Sequence, residues 1–278
     1  MDLIYLLLEK IFPFSWVEFN FMKNAFVAIL LITPLFGLIG TMIVNNKMSF
    51  FSDALGHCAL TGIALGVILN ITNYSVSMIL FSVLFALGIS GIMQSEVSSS
   101  DTIISVFSST GIALGIFLLS FSGNFAKYSA YLVGDILSIN KNEIFILLLI
   151  LILVIITWVL LFNKLLLSGL NSDMAHSKRI NVKFYKNLFS VLIAIIVTVC
   201  LKWVGILMIN SLLILPAASS RNIARNMRSY HVLSVIFSVF SGIFGLILSY
   251  YIGASAGSTI VLVSSVIFFV TFFVNKIK

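Results

Sequence analysis

From residue 144 to 162 the chain runs nineteen positions without a charge and with a single hydroxyl, Thr157. At about 1.5 Å per helical residue such a run crosses the ~30 Å hydrocarbon layer of a bilayer. It has company. Comparable apolar runs fall at about 22–44, 50–70, 75–93, 101–122, 143–162, 186–203, 204–219, 231–250 and 256–275. The expected fold is therefore all-α, a polytopic transmembrane helical bundle of eight or nine spans. The count turns on Lys202-Trp203-Val204-Gly205, which reads either as a turn or as a run interrupted by one snorkelling lysine. A β-barrel is disfavoured, because these runs are continuously apolar instead of alternating. Only 9% of residues are charged and 60% are hydrophobic, against about 25% and 45–50% in an ordinary soluble domain. That composition leaves no room for a soluble enzyme, a disordered chain or a nucleic-acid binder. The net charge of +7 is not a DNA footprint either, since no basic stretch sits on a soluble fold.

The chain reads as one transmembrane domain over 1–278, with no soluble domain and no linker. The N-terminal apolar run, Leu3 to Leu8, is short, starts beside Asp2 and stops at Glu9-Lys10 with no small-residue cleavage site. It is not a signal peptide. With Pro13, Trp16 and several phenylalanines, residues 1–20 suit an interfacial segment. Cys58 and Cys200 lie far apart in apolar runs and are expected to be free, packed thiols. Basic residues set the orientation. Lys164, Lys178, Arg179, Lys183 and Lys186, then Arg221, Arg225 and Arg228, then Lys276 and Lys278 all fall on one side if the spans alternate. The positive-inside rule makes that side, and the C-terminus, cytoplasmic; the connection 123–142 then faces outward.

An ionisable group at lipid depth costs about 2.5–3.5 kcal/mol on insertion scales, so each one is a candidate for function. The foremost pair is Asp53 and His57. Four residues apart, they share one helix face. A carboxylate with an imidazole suits Zn(II), Mn(II) or Fe(II). One pair supplies two ligands, and two chains across a two-fold axis could supply four. The plain alternative is an aspartate capping its helix and a histidine bonded to a backbone carbonyl. Asn210 and Ser211, inside an apolar run, line a path or make interhelical hydrogen bonds. Asp101 reads as a helix N-cap, Glu143 as a helix start, Lys202 as a snorkelling anchor, and His176 and His231 as solvated loop residues. The hexapeptide Thr61–Gly66 recurs as Thr110–Gly115; Gly62 and Gly66 at GxxxG spacing allow close helix packing. No phosphate-binding GxxxxGK[ST] and no HExxH occurs, so the chain is not read as an enzyme, and any ATP hydrolysis belongs to another chain.

Four blocks, in order, carry a family resemblance. Lys47–His57, KMSFFSDALGH, resembles "MSxxGDALxH". Tyr131–Leu137, YLVGDIL, resembles "YLFGDLL". Val204–Ala218, VGILMINSLLILPAA, resembles "VGxLLxxxLLIxPAA", and Ala256-Gly257 opens a similar last helix. The chain resembles the ABC-3 permeases of importers for zinc, manganese and iron. It departs from them at Ser52, where the family usually has Gly. It also lacks the Pro that manganese-type members often carry soon after the histidine, a slight lean toward zinc-type permeases.

The resemblance implies a bacterial cytoplasmic-membrane permease with no cofactor of its own, passing a divalent metal along Asp53 and His57 through a dimer-interface pathway. It implies a second permease copy, forming a homodimer, two cytoplasmic ABC ATPases and an extracellular metal-binding protein. It further implies that a helix after Pro216, about 219–231 with Arg221, Arg225 and Arg228, presses on the ATPase. The loop 168–182 with Asp173 is a second contact, and Asp135 of the YLVGD block is a pathway or packing residue. A proton-coupled secondary transporter or channel using the same pair is the alternative.

Overall fold

The computed structural model describes residues 2–11, 14–71, 73–95, 98–121, 134–170 and 172–277. The first elements are α1 (Asp2–Ile11) and a 3-10 turn (Ser15–Glu18), followed by α2 (Asn20–Asn45), α3 (Phe51–Ile68), α4 (Tyr74–Met93) and α5 (Ser100–Phe121). A second 3-10 turn (Ile136–Ser138) leads to α6 (Lys141–Leu170), α7 (Ser172–Ser177), α8 (Val182–Val204), α9 (Ile206–Ile223), α10 (Met227–Ile252) and α11 (Ala256–Ile277). Among the described residues nine helices, α2 to α6 and α8 to α11, are long and apolar enough to cross a membrane.

The helix ends follow local chemistry. Asn73 and Asn181 accept hydrogen bonds from the first-turn amides of Ser75 and Phe184, each at 3.1 Å. Asn140 and Glu143 cap reciprocally: Glu143 N donates to Asn140 Oδ1 at 3.1 Å and Asn140 N to Glu143 Oε2 at 3.0 Å. Asn226 and Ser229 form the same box at the start of α10. Such caps satisfy amides that the helix leaves without partners. Helix α6 runs past the expected end at 162, because Asn163-Lys164 breaks the apolar run but not the helix; lysine and the leucines after it are good helix formers. The stretch at 202–205 is a helix break. Gly205, at φ +76° and ψ 158°, occupies backbone space that favours glycine.

Two compact units are present: Met1–Thr41, Asp135–Ile156 and Ser211–Lys278, and Met42–Gly134 with Thr157–Asn210. In the second unit α3 is the packed centre, bounded by α4, α5 and α8. Its Gly62 faces the backbone of Met78 on α4 and its Gly66 faces Ser77. The echo of that hexapeptide does the reciprocal job on α5, where Gly111 meets Cys58 and Gly115 meets Leu60 and Thr61 of α3. Thr61 Oγ1 donates to Gly111 O at 2.6 Å. Both copies of the repeat are therefore close-approach surfaces between helices. Cys58 and Cys200 are buried and free, as expected.

In the first unit α10 packs on α11 and on α2. Ser234 and Ser238 of α10 donate to Gly37 O and Thr33 O of α2 at 2.7 and 2.8 Å. His231 is not a solvated loop residue. It is buried in the first two turns of α10, with Nδ1 2.7 Å from Thr41 Oγ1.

Candidate metal-path site on α3

The first two turns of α3 hold the candidate pair. Asp53 Oδ2 lies 3.4 Å from His57 Nε2, and the side chains are 35% and 23% exposed. Their neighbours Ala54, Leu55, Gly56 and Cys58 are buried. The helix thus opens at the two positions that carry charge or a lone pair. Phe50 stands at the N-cap with no side-chain cap bond, and His57 Nδ1 has no hydrogen-bond partner among the described residues. Helix capping and a bond to a backbone carbonyl, the plain alternative for this pair, are therefore not what these side chains do.

The aspartate is held from across the unit. Asn210, at the start of α9, donates from Nδ2 to Asp53 Oδ1 at 2.6 Å. Its own Oδ1 accepts from Ser52 Oγ at 2.6 Å. The serine fixes which way the amide faces, and the amide leaves Asp53 Oδ2 turned to His57. Ser52, where the family usually has glycine, is part of this chain of bonds. Among the described residues no group of three or more His, Cys, Asp or Glu could hold a metal ion. Two donors, one carboxylate oxygen and one imidazole nitrogen, are what this chain offers. A pair of this kind can bind a borderline cation only weakly and exchangeably.

Beside Asp53 lies a cavity of about 510 Å³. Phe50 and Asp53 line it at the start of α3, and Asp101, Thr102, Ser105, Val106, Ser108 and Ser109 from α5. Asp101 is within the first turn of α5 and not its cap; Ser99 Oγ accepts from Thr102 N at 3.3 Å instead.

The other expected residues fall elsewhere. Gly62 and Gly66 are packed against α4, as described. Ser211 follows Asn210 on α9 and is half-buried. Asp135 is exposed and caps the 3-10 turn, accepting from Leu137 N at 3.1 Å. Its neighbour Gly134, at φ +71°, lies against the backbone of Val204 and Gly205, so the glycines of two motif blocks touch. Tyr131 to Val133 of that block lie outside the described residues, as do the side chains of Asp173 and His176. The expected helix at 219–231 is not one element. Arg221 is in the last turn of α9, Arg225 in the three-residue link and Arg228 in the first turn of α10, all exposed. Lys202 is exposed, 6.0 Å from the ring centroid of Trp203, the posture of a snorkelling anchor.

The model of the ABC 3 transport family matches residues 18–275. The chain belongs to that family. The manganese import system permease protein ScaB of Streptococcus gordonii is 32% identical over 257 residues, covering 92% of this chain and 92% of its own. The high-affinity zinc uptake system membrane protein ZnuB of Haemophilus influenzae is 29% identical over 235 residues, covering 84% and 90%. The solved structure of PsaBC from Streptococcus pneumoniae in complex with Fab superposes with a TM-score of 0.80 at 28% identity, covering 99% of this chain and 96% of that one. The expected kinship with metal ABC permeases, and the reading as a permease instead of an enzyme, are borne out. The lean toward zinc gains nothing from these relatives, which carry manganese and zinc names at similar identity.

Two features of the site escaped the sequence reading. The Asn210–Asp53 bond spans 157 positions, and no local pattern announces it. The polar flank of α5 did leave a signal: Asp101, Ser105, Ser108 and Ser109 recur at helical spacing.

Proposed function

We propose that this chain is the permease subunit of an ATP-driven importer for a divalent transition metal, manganese or zinc, and that the ion passes along Asp53 and His57. The observation that carries the reading is the half-open carboxylate–imidazole pair on the otherwise buried first two turns of α3, with the carboxylate oriented by Asn210. Two donors per chain are too few for a stable site. A second copy of the chain, its own pair brought up across a two-fold axis, completes a four-ligand station for the cation in transit. Weak binding suits transit, because an ion must leave as readily as it enters. A separate metal-binding protein delivers the ion outside, and two ATPase chains drive the cycle from the cytoplasmic side. The basic loops and the C-terminus lie on that side by the positive-inside rule. Arg221, Arg225 and Arg228, exposed at the elbow between α9 and α10, are the contact that couples the ATPases, with the segment around Asp173 as a second.

Uptake of radiolabelled manganese and zinc by the reconstituted complex with its own binding protein tests this. Asp53→Ala and His57→Ala should each abolish uptake while ATPase assembly persists; normal uptake by both would remove the site. Uptake that stops on ATP depletion and survives collapse of the proton gradient supports the importer. The reverse would make the same pair a proton relay of a secondary transporter. Competition between the two ions in the same assay decides the cargo.

A further inference from the structure

Hydroxyls within the apolar spans of this chain mostly bond to their own helix. Thr33, Ser219, Ser264 and Ser265 each donate to the carbonyl four residues back, and Ser220 and Thr271 to the one three back. This is the usual way to satisfy a hydroxyl where water is absent. Ser105 and Ser109 of α5 do otherwise. Both are exposed, and neither makes a hydrogen bond to another described residue. With Asp101, Thr102 and Ser108 they share one flank of the helix and line the cavity that contains Asp53. The adjoining side of α5, at Ile104, Gly111 and Gly115, is buried, and its two glycines meet α3. The polar flank runs eight residue steps from Asp101, about 12 Å of helix, and ends at Ser109. Higher on the same flank come Ile112 and Ile116.

Bare hydroxyls and an ionisable carboxylate facing lipid would each carry a desolvation cost with nothing to offset it. A cavity of this volume, lined by them, is roomy and polar enough to hold water. We propose that this flank of α5 is the wall of an aqueous vestibule that carries the transported cation between Asp53 and the water phase at the Asp101 end, with Asp101 raising the local cation concentration. The proposal rests on the reading of Asp53 as a metal contact, and it adds a route, a direction and a residue to it. The proposed vestibule runs from Asp53 to the first turn of α5. On the orientation proposed above that is the cytoplasmic side, so the route is the exit. A hydroxyl wall hydrates the ion without binding it firmly, and a single exposed carboxylate attracts it without a chelating partner.

Cysteine accessibility in the assembled complex tests this, since Cys58 and Cys200 are both buried and leave little background. Inside-out vesicles carrying Ser105→Cys are treated with membrane-impermeant cationic and anionic methanethiosulfonates, alongside Leu84→Cys on the exposed face of α4. Ser105→Cys should react at least about tenfold faster than Leu84→Cys, and faster with the cationic reagent. Equal, slow reaction at both positions would overturn the vestibule. Adding Asp101→Asn should lower the cationic-to-anionic rate ratio about three- to tenfold, the effect of one carboxylate at close range; an unchanged ratio would overturn the role of Asp101. Manganese or zinc chloride should slow cationic labelling of Ser105→Cys. Fast labelling with no protection by either ion would overturn the carrying role while leaving the wall aqueous. The Asp53 reading would then stand or fall on its own uptake assay.

Discussion

At the scale of single residues, the site is governed by a hydrogen-bond chain. Ser52 orients the Asn210 amide, the amide occupies Asp53 Oδ1, and Oδ2 is left beside His57. A carboxylate positioned this way presents one oxygen to an arriving cation in a fixed direction. Groups that hold a ligand in place are typically worth 10–100-fold in metal affinity. Asn210→Ala should therefore raise the metal concentration for half-maximal uptake about tenfold or more, with little change in the maximal rate of a complex that still assembles. An unchanged concentration dependence would mean that Asp53 orients itself. Little of this was legible beforehand. Asp53 and His57 stand out as charges one helical turn apart in an apolar run. Asn210 stands out as an amide in another run, but nothing in either segment tells that the two meet. His231 was misread for a related reason: it follows three arginines, and hydropathy assigns it to their loop. Its ring is in fact buried against Thr41, a contact 190 positions away.

The elements were far more legible than their ends. All nine long helices lie where the apolar runs predict them, because the hydrophobic length needed to cross a bilayer leaves few alternatives. Boundaries moved where propensity and hydropathy disagree. Helix α6 continues through Asn163-Lys164, and the α8–α9 break was ambiguous because Lys202-Trp203 masks the effect of Gly205. That break has a physical anchor. Gly205 holds φ +76°, and Gly134, itself at φ +71°, rests on its backbone. Both glycines hold backbone that disfavours a side chain, and a Cβ at Gly134 would also meet occupied space. Gly205→Ala should cost about 1–3 kcal/mol, read as a lowered midpoint of thermal unfolding in detergent; an unaltered midpoint would show that the link adjusts without strain. Gly91, in contrast, has nothing within 4 Å of where a Cβ would sit. Gly91→Ala in α4 should be neutral or slightly stabilising in the same measurement.

For the molecule as a whole, two compact units share helices α2, α6 and α9, each of which contributes residues to both. On the proposed reading, the cation half-site belongs to one unit and the arginine elbow to the other. If the elbow couples the ATPase, Arg221→Glu with Arg225→Glu should leave membrane insertion intact while ATP hydrolysis no longer tracks metal uptake. Hydrolysis still stoichiometric with transport would move the contact elsewhere.

The elbow's geometry also has an energetic side. Arg221 closes α9, where the negative end of the peptide dipoles welcomes a cation. Arg228 opens α10, where the dipoles point their positive end at it. Arg225 lies just ahead of that same end. In this chain alone the second helix start is electrostatically frustrated by about 0.3–1 kcal/mol for such a charge, a tension that an acidic surface laid against the elbow would relieve. If an acidic partner docks at the elbow, Arg228→Glu should make the isolated permease slightly more heat-resistant while weakening that partner's grip, a trade of solitary stability for partnership.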